Sequence, residues 1–182
     1  TSHRAAIERL LVECIIRHGD EVIMRDLEDE STGEKISLTV AQYISYDLGL
    51  DGLTLSNPTY DTILREATEH SGEPDFKAIS YFTRHSDVEI SQLAASMSIE
   101  NVKLTKSLEI PIKENTLRDR VIHLVLDLRM EYVKQQLRQL GQQLREVQSD
   151  AGKMMQVMGE IKKMQEIRNL LARKLGNDIM AM

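Results

Sequence analysis

From Leu126 onward the apolar residues fall at alternating steps of four and three: Leu126, Met130, Val133, Leu137, Leu140, Leu144 and Val147. After a break they resume as Met154, Val157, Ile161 and Met164, then Leu171, Leu175 and Ile179, with Arg168 interrupting the stripe and Ile167 beside it. This spacing gives each of two helices one narrow apolar seam, as in an antiparallel coiled coil. Facing positions in such a pair have residue numbers that add to a constant. Val147 with Met154, Leu144 with Val157, Leu140 with Ile161, Leu137 with Met164, Met130 with Leu171 and Leu126 with Leu175 all add to 301. That value leaves only a short turn around Gln148 to Lys153, where Ser149, Asp150 and Gly152 favour turns and helix ends. Gly141 and Gly159 come within one residue of the same register. Because a glycine in a helix interior costs about 1 kcal/mol relative to alanine, the pair predicts close backbone approach.

Upstream the periods are shorter. A helix is predicted from His3 to His18, with Ile7, Leu10, Leu11, Cys14 and Ile15 on one face and Gly19 ending it. Glu21 to Leu27 and Lys35 to Val40 flank the acidic stretch Glu28 to Glu34, and Ile36, Leu38 and Val40 alternate, which predicts a small β-hairpin with a solvated tip. Further helices are expected from Val40 to Leu48, from the Asn57-Pro58 start to His70, and after Pro74, carrying Phe76, Ile79, Tyr81 and Phe82. Ser86 and Glu89 have capping-box spacing for a helix through Met97. Residues 101–115, with Pro111, read as a connector, and Thr116 and Asp119 as caps of the long helix that follows. Its first turns are apolar on several sides (Val121, Ile122, Leu124, Val125, Leu128), whereas beyond Met130 only the seam remains. The expected fold is mainly α: a multi-helix bundle, residues 1–115, with a β-hairpin insertion near 21–40. A long connecting helix joins it to a C-terminal antiparallel helical hairpin, residues 116–182, with bending expected about residues 112–130.

An apolar content of 41% allows a sizeable core, but aromatic residues make up only 4% and none follows Tyr132. The hairpin must then be a thin layer that leans on a neighbour or a partner. The net charge of −6 is unevenly spread: residues 1–111 hold 10 Lys and Arg against 20 Asp and Glu, and residues 112–182 hold 13 against 9. An acidic body with a mildly basic arm argues against a broad nucleic-acid footprint and for protein partners. The lone Cys14, on an apolar helical face, reads as a buried structural thiol in a reducing cytoplasm. No signal peptide and no apolar run of membrane-spanning length is evident, and the start at Thr1 suggests a piece of something longer.

Candidate chemistry is sparse. None of His3, His18, His70, His85 and His123 has metal-ligand spacing; His123 reads as a hydrogen-bonded core residue, and Glu69 beside His70 as a solvated helix end. Gly49 to Gly52 lacks the lysine and strand of a phosphate loop, and no nucleophile-base group stands out. No catalytic, cofactor-binding or metal-binding residue is expected. Six of nine methionines lie between Met154 and Met182. Met154 and Met164 fall on the seam, whereas Met155, Met158, Met180 and Met182 form either a contact patch or a frayed end. Arg168, Arg173 and Lys174 border that end, as a solvated face or against an acidic partner surface.

An acidic helical bundle, a long connecting helix and a terminal hairpin together resemble the C-terminal, helicase-binding domain of bacterial DnaG-type DNA primase. The stretches that carry the resemblance are Asn57 to Ala67 (NPTYDTILREA), Leu137 to Leu144, and Ile161 to Leu175 (IKKMQEIRNLLARKL). The resemblance implies a non-catalytic domain, without a cofactor, of a parent primase whose zinc module and polymerase core lie upstream. It implies docking on the N-terminal region of the hexameric replicative helicase through the hairpin, and in some members contact with the acidic tail of single-stranded-DNA-binding protein. The implied role is recruitment of primase for primer synthesis during DNA replication in the bacterial cytoplasm, with no membrane partner and little direct nucleic-acid binding. Arg173, Lys174, Leu175, Ile179, Met180 and Met182 are the partner-binding candidates. The β-hairpin departs from the simplest all-helical version of that domain and reads as an insertion. The alternatives are the self-association domain at a replicative helicase's N-terminus, which is similar in fold, and a nucleic-acid-binding helical arm.

Overall fold

The computed structural model describes the backbone of residues 2–108 and 114–181 and the side chains of residues 2–99 and 117–176. The elements run α1 (His3–His18), β1 (Val22–Glu28), β2 (Lys35–Thr39), α2 (Val40–Leu50), α3 (Pro58–His70), α4 (Ala78–Thr83), α5 (Val88–Leu108), α6 (Glu114–Glu146) and α7 (Ala151–Ala181). The fold is mainly α with one small antiparallel β-hairpin and a long helix followed by a helical partner, as the apolar periods predict. The chain divides into two compact units, Thr1–Val125 and Leu126–Met182, so α6 supplies residues to both.

In the first unit α1 packs against α2, α3, α4 and α5. A helix surrounded on several sides buries more than a stripe. Accordingly Val12, Ile16 and Glu8 are buried along with Ile7, Leu11, Cys14 and Ile15, whereas the predicted core residue Leu10 remains 38% exposed. Ile44, Leu48, Ile63, Ala67, Phe82, Ile90 and Met97 complete this core, and Val121, Leu124 and Val125 of α6 are buried in the same unit. Gly19 ends α1 for a reason other than the one its type suggests. Its φ of −56° is ordinary right-handed backbone. A Cβ there would lie 2.3 Å from the Ile15 carbonyl oxygen and 3.3 Å from the Ala78 Cβ, so space, not handedness, demands glycine.

Caps set most helix starts. Asn57 Oδ1 accepts from the Thr59 N–H at 2.9 Å with Pro58 in the first turn, as predicted. Thr39 and Gln42 form a reciprocal capping box at the start of α2. At α5 it is Asp87, not Ser86, whose side chain accepts from the Glu89 N–H, at 2.9 Å, so the predicted box is displaced by one residue. The α4 helix begins at Ala78, after Phe76, and its first N–H donates to Asp20 Oδ1 at 2.9 Å across the fold. Two expectations about the connector are corrected. The α5 helix runs on to Leu108, and α6 starts at Glu114, so Thr116 and Asp119 lie inside the helix and not at its N-cap position; Pro111 lies outside the described residues.

The strands pair Val22 with Thr39, Met24 with Leu38, Leu27 with Ile36 and Glu28 with Lys35, and β1 takes one extra residue at each of two irregularities. Asp26 sits at the second with φ 57°, which costs a non-glycine residue about 1 kcal/mol. These bulges override simple alternation: Met24 and Leu27, three apart, pair with Leu38 and Ile36, two apart. At the tip the Asp29 carboxylate accepts from the Ser31 N–H (2.8 Å), the Ser31 hydroxyl (2.5 Å) and the Thr32 N–H (3.3 Å), while Gly33 takes φ 70°. The Ser31 bonds above all hold the Asp29 carboxyl below its usual range.

In the second unit residues predicted for the seams of α6 and α7 pack together. Met130, Val133 and Leu171 form a buried cluster against which Leu126, Leu137, Met164 and Leu175 pack. Leu140 and Val157 are buried nearer the turn. Asp150 Oδ1 accepts from the Lys153 N–H at 3.1 Å and caps α7, with Gly152 already inside the helix. The predicted close approach at the two glycines is absent: a Cβ on Gly141 or Gly159 would meet nothing within 4 Å. Leucine and methionine on the seam hold the backbones apart along their length, and a glycine one step off that seam faces open space.

Candidate partner-binding surface

The seam consumes one side of each long helix, and what α7 presents on its other sides decides what the hairpin can bind. Helical geometry advances 100° per residue, so Met155 and Leu170 lie far round the helix from Val157, Met164 and Leu171. Met155 is 75% exposed, Met158 51%, Leu170 50% and Ile167 43%. Lys162, Lys163, Glu166 and Arg173 are exposed between and beyond them. Met155 and Leu170 on the outer side of α7, with Met158 and Ile167 on its flanks, are large apolar side chains able to lose water against a partner.

The sequence-derived candidates divide into three groups. Arg173 and Lys174 are exposed and available to solvent. Leu175 is half-buried and packs on the Met130, Val133 and Leu171 cluster, so it also holds the hairpin together. Because Leu175 packs on the same cluster as Leu126, this end of α7 is the one away from the 147–150 turn. Ile179 and Met180 belong to α7, but their side chains, and Met182 altogether, lie outside the described residues. From sequence, Ile167 stands only as a residue beside the seam, and Leu170 is not a candidate. The readable signal was there, since both are apolar and neither fits the register that pairs the seams.

The first unit holds a second cluster, of rings and carboxylates. Tyr81 is flanked by His70, Phe76, Phe82 and His85, with ring centroids 5.0–5.7 Å away. Burial first, then the Glu66 and Glu69 charges, push the Tyr81 hydroxyl above its usual value, which keeps it protonated. His85 Nδ1 accepts from the Asp87 N–H at 3.0 Å, so the proton on Nε2 is the one shared with Glu66 Oε2 at 2.8 Å. His70 pairs with Glu73 at 2.8 Å, and Glu69 pairs with Arg65 at 3.4 Å, so the neighbours Glu69 and His70 do not form a pair. Of these, Glu66, Glu73, Phe76, Tyr81 and His85 line an open depression of about 830 Å³ together with Lys77 and Arg84. Each ring nitrogen that bonds here bonds to its own scaffold, and the cluster ties α3 to α4 and the start of α5. His123, expected to be hydrogen-bonded, has a buried Nδ1 without a partner among the described residues. No group of three or more His, Cys, Asp or Glu side chains able to hold a metal ion occurs among the described residues. No described helix is long and apolar enough to cross a membrane.

Fold and surfaces together define a mainly helical chain with a β-hairpin insertion and a terminal helical pair. It belongs to the family described as a domain of unknown function (DUF8430), whose model matches residues 2–179. No curated protein and no solved structure matches it.

Proposed function

We propose that this chain is a recruitment domain of a DNA primase, which uses its helical hairpin to hold the primase on the N-terminal region of the replicative helicase. The observation that carries this reading is the outer face of α7. Away from the seam, α7 presents Met155 and Leu170 on its outer side and Met158 and Ile167 on its two flanks, all exposed, with Arg173 and Lys174 within a turn of Leu170. The likeness of Asn57 to Ala67, Leu137 to Leu144 and Ile161 to Leu175 to the primase domain supports the helicase as the partner. Tethering needs no catalysis: it converts an encounter at the template into an intramolecular one with an effective concentration of order mM.

The test is calorimetric titration of the whole chain into the replicative helicase of the same organism. Wild-type protein should bind saturably. Met155→Glu with Met158→Glu, Ile167→Glu with Leu170→Glu, and Arg173→Glu with Lys174→Glu change exposed side chains only, and at least one pair should weaken binding by about tenfold or more. No binding by the wild type, or equal binding by all three variants, overturns the reading. The same exposed apolar side chains also suit a self-association domain. Sedimentation equilibrium of the chain alone separates the two, since a self-association module oligomerises without the helicase and loses this in the same variants.

A further inference from the structure

The β-hairpin carries an apolar groove that the hairpin-tether reading leaves unused. Met24, Leu27, Ile36 and Leu38 of the two strands, with Tyr43 and Tyr46 of α2, line a cavity of about 470 Å³. Leu27 is 40% exposed, Ile36 38% and Tyr46 60%, so large apolar side chains stand open to water on both walls. The bulged register makes this floor: with the extra residue near Asp26, Leu27 pairs with Ile36 and lines the same groove as Met24 and Leu38. A strained backbone that brings apolar side chains to a solvent-open groove points to a use outside the fold.

The rim supplies the chemistry of the occupant. Glu28, Asp29 and Glu30, beside the apolar residues, also line the groove. The Asp29 carboxylate is fixed there by Ser31 and Thr32, and Gly33 donates to the Asp29 carbonyl at 2.7 Å, so the acidic turn is built before anything binds. Residues 21–35 hold six carboxylates against Arg25 and Lys35. We infer that the groove between the β-hairpin and α2 docks a basic amphipathic helix of another protein, its apolar side chains between Leu27, Ile36 and Tyr46 and its Lys or Arg side chains against the Glu28 to Glu30 rim. Apolar burial gives the affinity, and the fixed carboxylates select a basic partner over a neutral or acidic one. This site is separate from the α7 face and stands whether or not the helicase is the hairpin's partner.

The experiment titrates the isotopically labelled whole chain with a model peptide of about 15 residues, Leu on one helical face and Lys on the other, followed by NMR. Expected are saturable shifts centred on residues 24–46, loss of about tenfold or more in affinity for Leu27→Lys with Ile36→Lys, and an unchanged affinity for the exposed control Val88→Lys. Melting temperature and amide spectra show that each variant is folded, and Tyr46→Ala, outside the strands, provides a second groove variant. A Lys/Gln peptide of equal charge should bind at least tenfold more weakly. The inference is overturned if both peptides bind alike, if shifts scatter over the acidic surface, if the groove variants bind normally, or if the chain self-associates through the groove in the absence of peptide.

Discussion

Glu8 places a carboxylate inside the first unit at 2% exposure and fixes the chain leading into α3. Oε1 accepts from the Ser56 N–H at 2.7 Å, Oε2 accepts from the Ser56 hydroxyl, and Arg4 approaches Oε1 at 3.7 Å while donating to the Thr54 carbonyl at 3.3 Å. Leu53 and Leu55 are buried in the same segment. Glu8→Ala would leave the Ser56 donors without their acceptor and open a space, and should cost about 3 kcal/mol, read as a lower urea midpoint with unchanged slope. Glu8→Gln keeps the shape and should cost less. Cys14 makes a different prediction. Burial above all pushes its thiol above the ordinary value of 9.0, outweighing the opposing Arg120 charge, with lesser effects of Glu13 upward and Arg17 downward. The folded state thus holds the thiol proton more tightly than the unfolded chain. The associated stability is intact below pH 9.0 and is lost as pH rises from there toward the higher folded value. Cys14→Ala should flatten that alkaline decline in a urea-midpoint series, and alkylation of native Cys14 at pH 8 should be slow until the chain is unfolded.

At the scale of elements, the helical pair depends on few contacts. Leu171 is 5% exposed at the centre of a seam cluster with only two other buried members, Met130 and Val133. Leu171→Ala should cost about 2–4 kcal/mol, and hydrogen exchange should locate the loss in residues 126–175. The glycines predict the opposite sign. With open space around the Cβ position, Gly141→Ala and Gly159→Ala should each raise stability by about 0.5–1 kcal/mol, measurable as a higher urea midpoint. What could be read in advance follows from the same physics. The hairpin seam was legible because its positions are set by a repeat. The start of α3 was legible because Asn57 and Pro58 act locally. Glu8 was not, since its partner Ser56 lies 48 residues away and an acidic residue in a helix normally signals solvent. Nor was the groove, because the bulges in β1 break the alternation by which strand faces are read. Close approach at Gly141 and Gly159 follows from residue type and a near-facing register position, and side-chain size on the seam decides otherwise.

For the whole molecule, the position of α6 determines how function can be tested. The sequence suggests a boundary near residue 115, and a truncation there looks like a clean removal of the hairpin. The first compact unit, however, extends to Val125 and buries Val121 (0% exposed), Val125 (1%) and Leu124 (7%). Fully burying each such side chain contributes about 1.5–3 kcal/mol. Three of them amount to about 4.5–9 kcal/mol, against about 5–15 kcal/mol for the net stability of a whole domain. A fragment ending at Asn115 should therefore melt without a cooperative transition, whereas one ending at Met130 should keep a sigmoidal melt, compared by circular dichroism under the same conditions. If the shorter fragment melts as cooperatively as the longer, α6 is dispensable to the first unit. If the expectation holds, loss of helicase binding on truncation at 115 would report unfolding as readily as a missing tether, and only exposed substitutions on α7 can tell the two apart.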